Sequence, residues 1–521
     1  MCHARMLVIL VALLAGCAAV KPSDMVPGFG SRVPPELDLG PEIALQEQPA
    51  KAVTSLIGSD GYAHVFVLNE HGNIHHIAAS ASQVVNRQSI GLAVGMTDSK
   101  GKQSERLSID AIEHPKGTLR VAVNGVQYVQ RGSGASWQQV ENSRCTRFLA
   151  FKERLYCAFI VKGEEIGSPT RSDTTIGFLI VLPIWSSTEK YPDKLVLAEE
   201  TKGDWVIRAV VDPGESFDID PDFLAGIDTA GKIHLLYFGS RGGGFWFFGG
   251  GPGAAGAFAL GQPSNMRFAQ ASVDQLVEQS ARTAAGVHSA SATGDLLMIN
   301  GAPPAKMPFL QSRDLPLVDN PEAWFQLRPL TQQFSFDSRS GEIRGLMWGE
   351  RVRLDDGERK VMFNYPGDFP RGLDSTWLTI SMRNGLWLNR FDVVAGDDVP
   401  QGFYWVRYPE AYARVDPHGK LHVLLIAKVG GTGNWPWDAN PPCAIGYLTD
   451  KGNGWSAPIN LGSCQRSWGL WSSKTNPYSE RSLAFADQGE IFASWIGEDG
   501  VLLGRWLSPA SSHHSGGDIE R

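Results

Sequence analysis

Three carboxylates recur at one spacing. Asp222, Glu410 and Glu480 each stand nine residues ahead of a turn glycine, at Gly231, Gly419 and Gly489. Glu105 precedes Gly117 within Ser104-Glu105-Arg106, and Ser479-Glu480-Arg481 repeats that tripeptide. Carboxylates and arginines gathered from separate segments can hold a cation such as calcium, orient a sugar or do acid–base work. The plainer alternative is that each carboxylate caps its own strand entry or pairs with an arginine. Histidine follows the glycine by three residues at His64, His234 and His422, and Arg120 and Arg344 fill the same slot. On an alternating strand this slot lies between packed layers, where a polar residue bonds backbone or a neighbouring layer. The sharper alternative is a His/Tyr pair for β-elimination, with Tyr408 as partner.

Two further stretches offer binding chemistry. One is GSRGGGFWFFGGGPG (239–253), and the other is GGTGNWPWDANPPC (430–443), which carries Trp435 and Trp437. Glycines let a loop approach a partner closely, and indoles stack on sugars or anchor interfaces. The glycine run lacks the Gly-Lys-Ser/Thr ending of a phosphate loop, and no HExxH, GxSxG or EF-hand series is present. Calcium is the one cofactor the acidic positions suggest.

The elements that position these residues repeat. A short apolar strand, an Asp-x-x-Gly type of turn and an alternating strand recur at 55–68, 109–123, 224–238, 334–348, 412–426 and 483–496. Weaker copies start near Arg147 and His288. Helical periodicity is nearly absent, with 272–286 the only fair candidate. Multi-strand repeats of this length predict an all-β fold, a β-propeller of seven or eight blades, over 46–507. If the first strand of each unit is innermost, the carboxylates ring the axial mouth.

The segment Arg407-Tyr408-Pro409-Glu410, followed by Asp416 to Val423, resembles the strand pair of the sialidase-like (BNR-type) propeller superfamily. Asp220-Pro221-Asp222 with Ile227–Tyr237 resembles it more loosely. The resemblance implies the fold. It does not imply sialidase chemistry, since the Arg-Ile-Pro motif and the Ser-x-Asp-x-Gly-x-x-Trp box are both missing from the sequence.

The N-terminus supplies a location. Arg5 precedes the apolar run LVILVALLAG (7–16), which is too short to span a bilayer and reads as an export signal. Leu14-Ala15-Gly16-Cys17 resembles the bacterial lipobox, which implies cleavage before Cys17 and lipidation of it. Residues 1–17 are thus a signal segment, 18–45 a Pro- and Gly-rich tether and 508–521 a polar tail. Ala18 does not resemble an inner-membrane retention signal, so the expected site is the outer membrane. In an oxidising compartment Cys145, Cys157, Cys443 and Cys464 can pair three ways, and short loops favour Cys145–Cys157 with Cys443–Cys464.

The chain carries 47 basic and 55 acidic residues, a net charge of −8, which argues against a nucleic-acid partner. The expectation is a lipid-anchored envelope propeller that binds a glycan or a partner protein through one axial face without catalysis. The candidate contacts are Glu105, Asp222, Arg407, Tyr408, Glu410, Glu480, Arg481, Trp435 and Trp437. The alternatives are a polysaccharide lyase or glycoside hydrolase with an acidic/His/Tyr site, and a scaffold lipoprotein of an outer-membrane complex.

Overall fold

The computed structural model describes residues 37–93, 108–132, 134–161, 170–179, 182–190, 193–212, 217–219, 223–241, 245–251, 254–260, 264–274, 309–311, 313–314, 334–353, 359–362, 375–383, 386–394, 411–428, 443–451, 456, 459–464, 481–497 and 500–509. Seven sheets, antiparallel except where Phe309–Gln311 joins the outer edge of blade 3 in parallel, form a seven-bladed β-propeller. The innermost strands are Ala50–Ile57, Ile109–Glu113, Arg147–Phe151, Leu224–Ile227, Phe334–Asp337, Ala411–Val415 and Arg481–Phe485, in blades 1 to 7. Each lies beside the next, and the seventh returns to the first, so the ring closes.

All six clear repeats are blades. The weaker copy at Arg147 is blade 3. Its turn is a tight Phe151-Lys152-Glu153-Arg154 hairpin in which Lys152, not glycine, takes the left-handed conformation, with φ 57°. The copy near His288 lies outside the described residues, as does most of 272–286.

The second strands are buried on both faces, which is why their sequences read as apolar runs. In Ala63–Asn69 of blade 1, Val65 and Val67 pack with Phe492 and Trp506 of blade 7, while Phe66 and Leu68 pack with Val121 and Tyr128 of blade 2. The same division repeats around the ring, so the core consists of inter-blade layers. One disulfide, Cys145–Cys157, ties the last strand of blade 2 to the second strand of blade 3. Cys464 is also disulfide-bonded, and its partner position across the third and fourth strands of blade 6 is Cys443.

Part of the stretch expected as a tether over 18–45 is built into the sheet. Leu37–Leu39 and Ile43–Gln46 both pair with Leu502–Pro509, the third strand of blade 7. The apolar alternation of Ile43 and Leu45, both buried, makes this a strand. At the other end, the strand Leu502–Pro509 runs past Ser508, where the polar tail was expected to start.

The described connections separate the two ends of the ring. In each blade the first strand turns into the second at one end, the turn face. Second strands therefore finish at the opposite end, where each first strand also starts, the entry face. Three described insertions follow second strands, and the strand Phe309–Gln311, which comes after the third strand of blade 4, instead adds to the outer edge of blade 3. Blade 3 carries the hairpin Thr170–Leu179/Leu182–Lys190, and blade 4 carries Phe245–Gly251/Ala254–Leu260. In blade 5 the second strand Glu342–Arg353 gains the extra strand Arg359–Met362 before its third strand begins. Within the glycine- and aromatic-rich stretch at 239–253, Phe245–Gly251 is thus a strand. The FWFF run has high strand propensity.

Candidate functional site

The turn face is stitched from blade to blade. Glu113 of blade 2 accepts from the backbone N–H and Oγ of Ser59 in blade 1, at 2.7 and 2.6 Å. Thr229 of blade 4 donates its N–H to Ser338 O of blade 5 at 2.8 Å. Arg339 of blade 5 reaches His418 O of blade 6, and His418 Nε2 in turn donates to Asp487 O of blade 7 at 3.2 Å. Such bonds fix the turns against one another and use the polar groups a ligand would need.

The repeated histidines belong to this face, and they are structural. Asp416 Oδ1 accepts from the N–H groups of His418 and Lys420, at 2.9 and 2.8 Å, which forms the turn. Its Oδ2 accepts from His422 Nε2 at 3.1 Å. That fixes the tautomer, so Nδ1 accepts from the Tyr447 hydroxyl at 2.7 Å. Burial pushes the Asp416 carboxyl up, but the bonds from His422 and Lys420 N–H outweigh it and hold it below its ordinary value. Burial pushes the His422 imidazole down and the Tyr447 phenol up, so both stay neutral.

Asp228 and His234 repeat this pair in blade 4, with Nε2–Oδ2 3.0 Å and both groups shifted in the same directions for the same reasons. Each ring also meets the next blade, His234 against Phe336 and His422 against Phe485, with centroids 4.9 Å apart in both cases.

Blade 1 reaches the same result differently. Gly58 holds the position of the turn aspartate, and a Cβ there would lie 2.5 Å from His64 Nε2. The carboxylate comes instead from Asp60, whose Oδ1 accepts from His64 Nε2 at 3.0 Å. His64 Nδ1 then accepts from His76 Nε2 at 2.9 Å. His76 stacks on Phe66 and meets the edge of Trp137 of blade 2. Burial, with the neighbouring His64 second, pushes the His76 imidazole down to about 3.

The expectation that these histidines lie between blades therefore holds, but their polar partners are turn carboxylates. Both ring nitrogens of His64 and of His422 are spent, and each histidine is buried. Tyr408, the partner expected for a His/Tyr elimination pair, lies outside the described residues. The His–Tyr contact that does exist, His422–Tyr447, is a buried hydrogen bond. Tyr447 carries no signal at the repeat level, because it stands on the third strand, outside the recurring unit.

The channel-facing edges of the innermost strands show a different chemistry. An innermost strand has one unpaired edge, whose N–H groups need acceptors. Asp110 Oδ2 of blade 2 accepts from Phe148 N–H of blade 3 at 2.7 Å. Ser335 of blade 5 accepts from Val415 N–H of blade 6 at 2.7 Å, and Ser482 of blade 7 from Ser55 N–H of blade 1 at 2.9 Å. Enclosure raises the Asp110 carboxyl, although the charges of Arg147 and Arg414 and the Phe148 N–H oppose that rise. Arg147, the first residue of its strand, also joins blades, donating to Ile109 O of blade 2 and Phe223 O ahead of blade 4's inner strand, both at 3.2 Å. Arg414 lies over the ring of Tyr412, 4.1 Å from its centroid.

Of the candidate contacts, the structure describes Arg481. It opens the innermost strand of blade 7, opposite Trp495, at the register position Arg147 holds in blade 3, and it is 2% exposed. Glu105, Asp222, Arg407, Tyr408, Glu410, Glu480, Trp435 and Trp437 lie outside the described residues. Among the described residues no group of three or more His, Cys, Asp or Glu is placed to hold a metal ion.

Fold and topology together define a seven-bladed β-propeller with a stitched turn face and an insertion-bearing entry face. No family model matches the chain, and no curated protein matches it either. The solved structures similar to it include an ulvan lyase of polysaccharide lyase family PL25, at 12% identity and a TM-score of 0.42, covering 89% of this chain and 96% of that one. The polysaccharide lyase Uly1 is 9% identical with a TM-score of 0.41, covering 90% of this chain and 91% of that one. The six-bladed fucose-binding lectin of Aleuria aurantia is 10% identical with a TM-score of 0.31, covering 80% and 97%.

Proposed function

We propose that this propeller is a non-catalytic binding protein of the bacterial envelope, held to the outer membrane by lipid on Cys17, and that it takes a glycan or a partner protein on its entry face. The observation that carries the reading is the difference between the two ends. The turn face spends polar groups on blade-to-blade bonds, whereas the described hairpins of blades 3 and 4 and the extra strand Arg359–Met362 of blade 5 follow second strands, at the entry face. Loops and insertions on a rigid scaffold are where binding residues concentrate. The chain positions of Glu105, Asp222, Glu410 and Glu480 immediately precede first strands, and Trp435 and Trp437 fall between the second and third strands of blade 6. All of them connect strand ends at that face. Catalysis by the repeated histidines finds no support, because they sit at the opposite end, buried and bonded to aspartates.

A glycan array probed with the chain, with calcium and with chelator, tests the proposal. Specific binding that falls at least about tenfold in Glu410→Ala or Trp435→Ala is the expected result. Turnover of the bound glycan that Glu410→Ala abolishes would replace it with a polysaccharide enzyme. A blank array together with a stoichiometric crosslinked envelope partner would select the scaffold reading.

A further inference from the structure

The insertion hairpins of blades 3 and 4 change polarity along their length in a way that packing between blades does not require. In the first, Arg171 stands opposite Glu189 and Asp173 opposite Ser187 at the base. Thr175 then faces Trp185, and the tip is Gly177 with Ile184, Phe178 with Pro183 and Leu179 with Leu182. No charged residue occurs from position 174 to 188. In the second, Phe245 stands opposite Leu260, Trp246 opposite Ala259 and Phe247 opposite Phe258, and the tip pairs Gly251 with Ala254. No charged residue occurs between Arg241 and Arg267. The strand Thr170–Leu179 adjoins the strand Phe245–Gly251, so the two hairpins stand side by side on the entry face.

We propose that these paired hairpins dip into the interfacial layer of a lipid bilayer and seat the entry face beside a membrane. Three features select a bilayer over a protein groove. A groove covers one face of a ribbon and selects alternation with period two. Here consecutive residues of both parities are apolar, as in Phe245-Trp246-Phe247-Phe248 and Phe178-Leu179, which suits a medium that surrounds the ribbon. The order along the first hairpin is charged base, tryptophan border, aliphatic tip, the depth profile of membrane-contacting segments. The net charge of −8 supplies no attraction to anionic surfaces, so the contact is apolar.

Length sets the depth. The uncharged arm Thr174–Leu179 extends roughly 20 Å, and a spanning strand needs about 9–11 residues. A two-stranded ribbon also has open edges, which the hydrocarbon interior does not tolerate. The tips therefore rest at the headgroup–acyl boundary, within about 5–10 Å of it. The inference is independent of the ligand and of the lipid on Cys17.

The test is vesicle flotation of a chain beginning at Lys21, which keeps every described strand and lacks Cys17. Phosphatidylcholine/phosphatidylethanolamine vesicles are used at low salt and at about 0.5 M NaCl. The chain is expected to float at both. The variant Phe178→Asp/Leu182→Asp is expected to lower binding roughly tenfold or more, with its melting curve unchanged because the hairpin lies outside the blades. If that variant does not fold, Phe247→Asp/Phe258→Asp in the second hairpin makes the same test. A parent chain that stays with the lipid-free fraction, a folded variant that floats like the parent, or binding abolished by salt would overturn the proposal. So would concentration-dependent dimerisation that the substitutions abolish without any flotation, which would assign the hairpins to a second copy. A blank glycan array leaves this result unaffected, so the two readings fail separately.

Discussion

Lowering the pH from 7.5 to 5 should destabilise the ring through His76. In the unfolded chain this imidazole takes a proton near 6.5, whereas in the folded protein burial holds it neutral down to about 3. Between those values the unfolded state binds more protons, so stability falls as pH falls. At about 1.4 kcal/mol per unit, the drop from 6.5 to 5 costs roughly 2 kcal/mol from His76 alone. His234 and His422 are shifted in the same direction and add to it. Asp228 and Asp416 do not contribute in this window. Their lowered carboxyl values confer stability that is lost only as pH falls through the folded value, below 3.8. The assay is urea unfolding at pH 7.5, 6.5 and 5 for the parent and for His76→Phe, which keeps a ring against Phe66 and Trp137. The substitution also removes the donor to His64 Nδ1. The variant should lose roughly 2 kcal/mol of the pH dependence. An unchanged slope in the variant would refute the assignment of a neutral buried His76; the parent's total slope also carries the opposing contribution of Asp110, whose raised carboxyl favours the folded state as pH falls.

Two further perturbations test the architecture. Gly226→Ala would place a Cβ 2.1 Å from Phe336 Cδ1 across the blade 4–5 interface. It should lower the urea midpoint by an amount equivalent to about 1–3 kcal/mol, and Gly226→Ala with Phe336→Leu should recover part of that loss. Replacing Cys145 and Cys157 together by serine opens a loop of sequence separation 12. The loss should be about 3 kcal/mol in non-reducing urea titrations, with no further loss on adding dithiothreitol.

The fold was legible wherever the turn chemistry was local. Asp228-x-x-Gly231 and Asp416-x-x-Gly419 carry their own hydrogen bonds, so a short motif reports the blade. Blade 3 was faint because Lys152 supplies the left-handed residue, leaving no glycine to align on. Gly58 and Asp60 exchange roles across two positions, which hides the likeness of blade 1 to blades 4 and 6. The histidine partners were not legible, because Tyr447 and His76 stand on third strands whose spacing from the turn varies. The closing strands within 37–46 were hidden by the prolines and glycines that flank them. Of the site, the sequence could name chain positions at the strand entries but not their distances. Those depend on long connections between strands, which no local pattern constrains.

The pairing of Leu37–Leu39 and Ile43–Gln46 with the strand ending at Pro509 also orders the events of folding. Bringing together chain ends separated by roughly 470 residues costs about 5 kcal/mol in loop-closure entropy. The two buried anchors Ile43 and Leu45 return about 3–6 kcal/mol. These nearly cancel, so the clasp cannot nucleate the ring from an unfolded chain. It forms once the intervening blades have stacked and shortened the effective loop, as the last step of a folding reaction with high contact order. Until then blade 7 keeps an open edge. The interval before closure is when this protein is most exposed to aggregation and to holdase chaperones.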